Sequence, residues 1–125
     1  MMNKGFTLIE LLVVIIIISI LAAIAIPRYF RSVERSRQAE ALNILGMVRM
    51  SEYRYQLENG VFTSDIDDLD FENPNSLPGR YFDYAMISAS ADTFSTKATR
   101  NSYRNFSGPN YIIELDQDGA FSSDF

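Results

Sequence analysis

The sequence predicts an α+β fold: one long, kinked amino-terminal helix packed on a small antiparallel β-sheet of three to four strands. Three observations lead there. An apolar run from Phe6 to Ile26 is followed, past Pro27, by helix-forming residues that last to Glu58. After Gly60 the composition turns to loop formers. From Arg80 onward aromatic, β-branched and hydroxyl residues alternate with turn formers, the pattern of short strands.

Five segments follow in order. Residues 1–5 are a polar leader with Lys4 as its one charge. Residues 6–27 form an apolar helix half interrupted by a single charge, Glu10. A helix of that length reaches roughly 31 Å, the hydrocarbon thickness of a bilayer. A secretory signal would begin similarly, and Ala22-Ala23-Ile24-Ala25 offers small residues for its cleavage. Such cores are typically about 7 to 15 residues, however, so retention of the segment is the better reading. Pro27 removes a backbone donor and biases the preceding residue away from helical angles, which predicts a kink or local break near Ile26.

Residues 28–58 read as an amphipathic helix half with Asn59-Gly60 as its stop signal. At about 100° per residue, Ile44, Val48 and Tyr55 fall on one arc, and Leu42, Met50, Tyr53 and Leu57 on another. The second arc suits neighbouring subunits, or is scatter in a short pattern. Residues 59–80 are a connecting loop with a short helix, in which Ser64 is the expected cap and Asp67 its reciprocal partner. Residues 81–125 are the sheet. Its strands are read at Tyr81 to Ala89, Thr93 to Thr99 and Tyr111 to Leu115, with a fourth near Ala120 to Ser122. Short separators make antiparallel connection the simplest topology.

Composition narrows the chemistry. Apart from the span, about a hundred residues remain, enough for one small domain. The chain has no cysteine and no histidine, which excludes disulfides, ordinary zinc sites, thiol nucleophiles and imidazole bases. No spacing suggests a Ser-Lys or carboxylate-only enzyme, so no catalytic residue and no reaction are expected. The net charge of −5 argues weakly against nucleic acid as the main partner.

Glu10 is the residue that needs explaining, because a carboxylate within an apolar span asks for a partner. The motif Lys4-Gly5-Phe6-Thr7-Leu8-Ile9-Glu10, with the apolar run and Pro27 behind it, resembles the amino terminus of type IV pilins and their pseudopilin relatives. That resemblance implies cleavage after Gly5 by a prepilin peptidase and N-methylation of Phe6. It further implies a single-pass precursor in the bacterial inner membrane, delivered by the pilus assembly machinery into an extracellular helical homopolymer with other pilins. Phe6, Glu10 and Pro27 are then the assembly residues. Cutting after Gly5 would leave a cation on Phe6, and methylation would keep its charge. That cation and the Glu10 carboxylate of an adjacent subunit could neutralise one another and fix register. Snorkelling of Glu10 to the headgroups is the alternative.

Ser19, Ala22, Ala23 and Ala25 would permit close helix approach, or merely tolerate lipid. Arg28, Arg31, Arg35 and Arg37 follow the span, and a count of positive charges would keep that side inside the cell. The family topology is the reverse, so these arginines are expected to meet acidic groups of neighbouring subunits or lipid headgroups. A solvated helix face would also account for them. Further along, Glu52-Tyr53-Arg54-Tyr55, Asn59-Gly60-Val61-Phe62-Thr63, Asp67-Asp68-Leu69 and Tyr81-Phe82-Asp83-Tyr84 look like the middle region of small pilins. The cysteine pair of many such proteins is missing here.

Three weaker patterns complete the reading. Glu114, Asp116 and Asp118 before Gly119 form part of a calcium loop without its closing glutamate, and Asp118-Gly119 is also strong hairpin chemistry. Asp65, Asp67, Asp68, Asp70 and Glu72 form an acidic cluster, read as a solvated loop. Lys97, Arg100 and Arg104 with Tyr103 and Phe106 could grip DNA during uptake, or belong to a polar strand surface. The expected function is a structural pilus subunit serving adhesion, twitching motility or DNA uptake. The rivals are a pseudopilin of type II secretion and a membrane-tethered binding domain.

Overall fold

The computed structural model describes residues 4–101 and 110–124. Its first element, α1, spans Leu8–Asn59 and runs through Pro27 without interruption. The local break expected near Ile26 is therefore absent. Proline deletes one bond from the helical ladder, and here the ladder continues on both sides of that loss. The chain divides into two compact units, Met1–Ser36 and Arg37–Phe125.

In the first unit the apolar helix has no protein cover. Its large apolar residues from Leu8 to Ile26 are between 46% (Leu12) and 86% (Leu8) exposed. This stretch is long and apolar enough to cross a membrane. Ser19 Oγ bonds back to the Ile15 carbonyl at 2.6 Å, which hides its polarity within the helix.

The second unit joins the rest of α1 to a four-stranded sheet. Strands β1 (Phe82–Ala89), β2 (Phe94–Arg100), β3 (Ile112–Asp116) and β4 (Phe121–Ser123) pair antiparallel in sequence order. Each begins and ends one residue or less from its predicted position, and the fourth strand forms. One row across the sheet runs Tyr84, Ala98, Ile113, Ser123, and its first three members are core residues. Along β2, Phe94, Thr96, Ala98 and Arg100 are buried at the period of two that a half-buried strand requires.

The helix contributes Ala41, Leu45 and Val48, all fully buried. That stripe takes Val48 from the first predicted arc and adds Ala41 and Leu45, which lie between the two arcs. Ile44, Tyr55, Leu42 and Tyr53 flank it half-buried, while Met50 and Leu57 face solvent. The two arcs are the shoulders of one wide buried sector plus an exposed apolar remainder. Tyr53, Phe62 and Phe94 make a second, aromatic cluster with ring centroids 4.8 to 6.2 Å apart. The helix stops where the sequence indicates: Gly60 adopts φ +80° and its N–H reaches the Gln56 carbonyl at 2.7 Å.

The connecting loop differs in detail from its prediction. Asp65, not Ser64, caps the short 3-10 turn Ile66–Asp68, its carboxylate accepting the Asp67 N–H at 3.0 Å. The shift arises because Thr63 Oγ1 accepts the Asp65 N–H at 3.0 Å and donates to Asp68 Oδ2 at 2.8 Å, leaving Ser64 exposed. Asp67 is no reciprocal cap; it accepts from Asn73 Nδ2 at 2.6 Å. A second turn, Pro74–Ser76, is capped by Asn73, and Asn75 bonds both backbone groups of Tyr84.

Three polar clasps tie loops to α1. Arg54 meets Asp70 through two bonds of 2.6 and 2.8 Å, and this guanidinium holds the Asp70 carboxyl down at about 2. The Gln117 carbonyl accepts from Arg49 Nε at 2.8 Å and Tyr53 OH at 2.7 Å. Gly119 beside it has φ +86° and lies so close to Arg49 that a Cβ would sit 3.2 Å from the guanidinium.

The third clasp is fully buried: Glu52 Oε2 accepts the Thr63 N–H at 3.1 Å, and Oε1 has no partner among the described residues. Burial raises the Glu52 pKa, Thr63 opposes that, and the nearby Asp68 charge adds to it. A carboxyl raised in the folded state stabilises fully below its unfolded pKa, and that contribution fades as pH rises through the folded value. Thermal unfolding of the protein is therefore expected to show a midpoint that falls from about pH 4.5 upward. Glu52→Gln, which keeps an acceptor for Thr63, is expected to flatten that fall. A parent midpoint that climbs across the same window would contradict it.

Candidate functional site

The amino-terminal junction is built by a short helix-start motif. Thr7 precedes the first helical residue, Leu8. Its N–H and Oγ1 both donate to Glu10 Oε2, at 2.7 and 2.8 Å, and the Glu10 N–H returns a bond to Thr7 Oγ1 at 3.3 Å. This is a reciprocal capping box, which satisfies helix-end donors that lack intrahelical acceptors. Glu10 thus has a partner within its own chain, on one carboxylate oxygen. Sequence reasoning named Glu10 and missed Thr7, although Thr-x-x-Glu before an apolar run is the signal for this cap.

Lys4, Gly5 and Phe6 precede the helix in non-helical, exposed backbone, and Phe6 is 83% exposed. Nothing lies within 4 Å of where a Gly5 Cβ would point. The two residues that flank the peptide after Gly5, Gly5 itself and Phe6, are both exposed. Pro27 sits inside the helix, beyond the apolar run.

The remaining sequence candidates separate. Asp116 Oδ1 accepts the N–H groups of Asp118 and Ala120 at 3.0 and 2.9 Å, which shapes the β3–β4 turn. Glu114 and Asp118 are exposed, and among the described residues no group of three or more acidic side chains is placed to hold a metal ion. In the acidic cluster Asp65, Asp67, Asp68, Asp70 and Glu72 each engage a neighbouring donor.

Arg100 is 1% exposed, donates to the carbonyls of Tyr81 and Asn101, and lies over the Tyr81 and Phe82 rings. It is a core cation rather than a surface contact. Lys97 remains half-buried on β2, whereas Tyr103, Arg104 and Phe106 lie outside the described residues. The four arginines after the span also part company. Arg28, Arg31 and Arg35 are exposed, while Arg37 sits 4.2 Å from the centre of the Tyr81 ring.

A capped apolar helix without cover, continuing into a helix that backs a small antiparallel sheet, defines the pilin class. A family model described as the prokaryotic N-terminal methylation motif matches residues 1–26. A second, described as the type IV minor pilin ComP, DNA uptake sequence receptor, matches residues 27–107, and the chain belongs to this family of type IV pilins.

Among curated proteins, the fimbrial protein EcpC of Eikenella corrodens is 38% identical over 100 residues, covering 80% of this chain and 64% of the relative. The type IV major pilin protein PilE of Neisseria gonorrhoeae is 35% identical over 80 residues, covering 64% and 48%. The type IV wide pilus major component of Thermus thermophilus is 36% identical over 91 residues, covering 73% and 69%. The chain thus spans roughly half to two thirds of the length of these relatives. Among solved structures, the non-core minor pilin PilV of Neisseria meningitidis shares the fold with a TM-score of 0.56 at 20% identity, covering 72% of this chain and 85% of that one.

Proposed function

We propose that this chain is a polymerising pilus subunit, cut after Gly5, N-methylated on Phe6, stored in the inner membrane and then transferred into a filament. The observation behind it is the uncovered apolar half of α1, whose every large side chain from Leu8 to Ile26 needs a cover that the chain itself does not supply. Lipid provides one cover and the helices of other subunits another. The two are similarly apolar, so exchange between them needs little net burial energy. After cleavage the Phe6 amine stands one residue from the Thr7–Glu10 cap. The capping bonds use only Oε2 of Glu10, which leaves its charge and second oxygen for the amine of an adjacent subunit.

Mass spectrometry of subunits sheared from the cell surface tests this reading. The expected amino terminus is N-methylated Phe6. Surface filaments built from subunits that retain residues 1–5 would overturn it.

A second role is favoured by one finding, the match of residues 27–107 to a family described as a DNA uptake sequence receptor. We infer that the head contributes to DNA uptake. The buried position of Arg100 removes it from the candidate contact residues. Deleting the gene while other pilins keep the cell piliated is expected to reduce DNA uptake. Undiminished uptake would leave the structural role alone standing.

A further inference from the structure

Immediately beyond the apolar run, Arg28, Arg31 and Arg35 are exposed and spaced i, i+3, i+7, so they share one helix face within about 60°. Tyr29 and Phe30, each 66% exposed, lie beside them. No described residue pairs with these three guanidinium groups. Glu34, the one acid between them, is buried and has an interaction of its own.

From Ile26, the helix rises roughly 3 Å to Arg28, 7.5 Å to Arg31 and 13.5 Å to Arg35. A headgroup layer is about 5 to 7.5 Å deep on each side of the hydrocarbon. Arg28 and Arg31 therefore fall within it, and Arg35 reaches it by extending its long side chain back along the helix. Exposed Tyr29 and Phe30 mark the same level, where aromatic rings favour the interface.

We propose that this stripe is a docking surface for the phosphate groups of anionic lipids, gathering them around the stored subunit on the head side of the membrane. Guanidinium forks match phosphate oxygens, and three on one face give a preference that a single cation would not. The stripe opposes the ordinary charge rule for orientation, and lipid phosphate supplies the counter-charge that no described residue places there. The proposal rests on the membrane-stored reading above, and the test separates the two.

The chain has no tryptophan, so an Ile24→Trp variant, one turn before Arg28, provides a single fluorophore. The full chain is reconstituted in mixed phosphatidylglycerol and phosphatidylcholine vesicles in which one or the other lipid has brominated acyl chains. The expected result is a roughly threefold greater association of the anionic lipid than its bulk fraction predicts. Combining Ile24→Trp with Arg28→Gln, Arg31→Gln and Arg35→Gln is expected to bring that ratio to about one. Equal quenching by both lipids in the parent overturns the proposal while leaving membrane storage intact. An unquenched fluorophore in every vesicle overturns membrane storage itself. Normal lipid preference in the triple-glutamine variant, with filaments lost, would assign the arginines to acidic groups of another copy and also overturn the proposal.

Discussion

Glu10→Gln is expected to abolish surface filaments while leaving the amount of protein in the inner membrane unchanged. The substitution is informative because it separates the helix cap that Glu10 makes with Thr7 from the ion pair proposed for it with an adjacent subunit. In the capping box, glutamine serves as well as glutamate, so its amide oxygen still accepts from Thr7 and the helix start persists. What disappears is the charge. If assembly depends on an ion pair with the processed amine of a neighbour, the amine in the growing filament is left uncompensated in an apolar bundle. Thr7→Val makes the complementary change, removing the hydroxyl that anchors the cap while keeping the carboxylate. It is expected to lower filament yield only modestly. Quantifying sheared filaments and membrane-fraction subunit in the same cultures checks both. Normal filaments in the Gln strain together with loss in the Val strain would make Glu10 a helix cap and nothing more.

That ambiguity shows how far the residues alone could be read. The span, the stop at Gly60 and the strand positions were legible because each rests on a local rule. Apolar run length, glycine at a positive φ and alternation of two are all visible without tertiary contacts. The buried stripe of α1 was harder. Ala41 is small and the hydrophobic arcs were weighted toward larger neighbours, so its alignment with Leu45 and Val48 emerged only once the sheet showed which sector it covers.

Long-range polar choices were beyond reach for a different reason. That Thr63 would tie down Asp65 and Asp68, or that Gln117 would receive both Arg49 and Tyr53, depends on segments brought together by folding. Arg100 illustrates the same limit from the other side. A cation in an aromatic-rich strand reads as a nucleic-acid contact, and the fold places it inside against Tyr81 and Phe82.

Leu45→Ala is expected to cause the largest loss of head stability, about 2 to 5 kcal/mol, because the residue is fully buried and deleting its side chain leaves a cavity. It belongs to the core cluster that also holds Ile66, Phe82, Tyr84 and Ile113, so the cavity would open in the core that α1 shares with the loop and the sheet. For a domain of this size each kcal/mol moves the thermal midpoint by about 4 to 8 °C, which places the expected fall at roughly 8 to 40 °C. No disulfide shares the burden, since the chain lacks cysteine. A small domain without staples has little reserve. Met47→Ala, two residues further along the helix at 53% exposure, is the internal control and is expected to change stability by less than about 0.5 kcal/mol. Circular dichroism melts of the two variants beside the parent decide it. Equal losses would mean that the side of α1 facing away from the sheet is covered in the isolated protein as well. Similar melts with lost filaments in Met47→Ala alone would instead place that exposed side against another subunit.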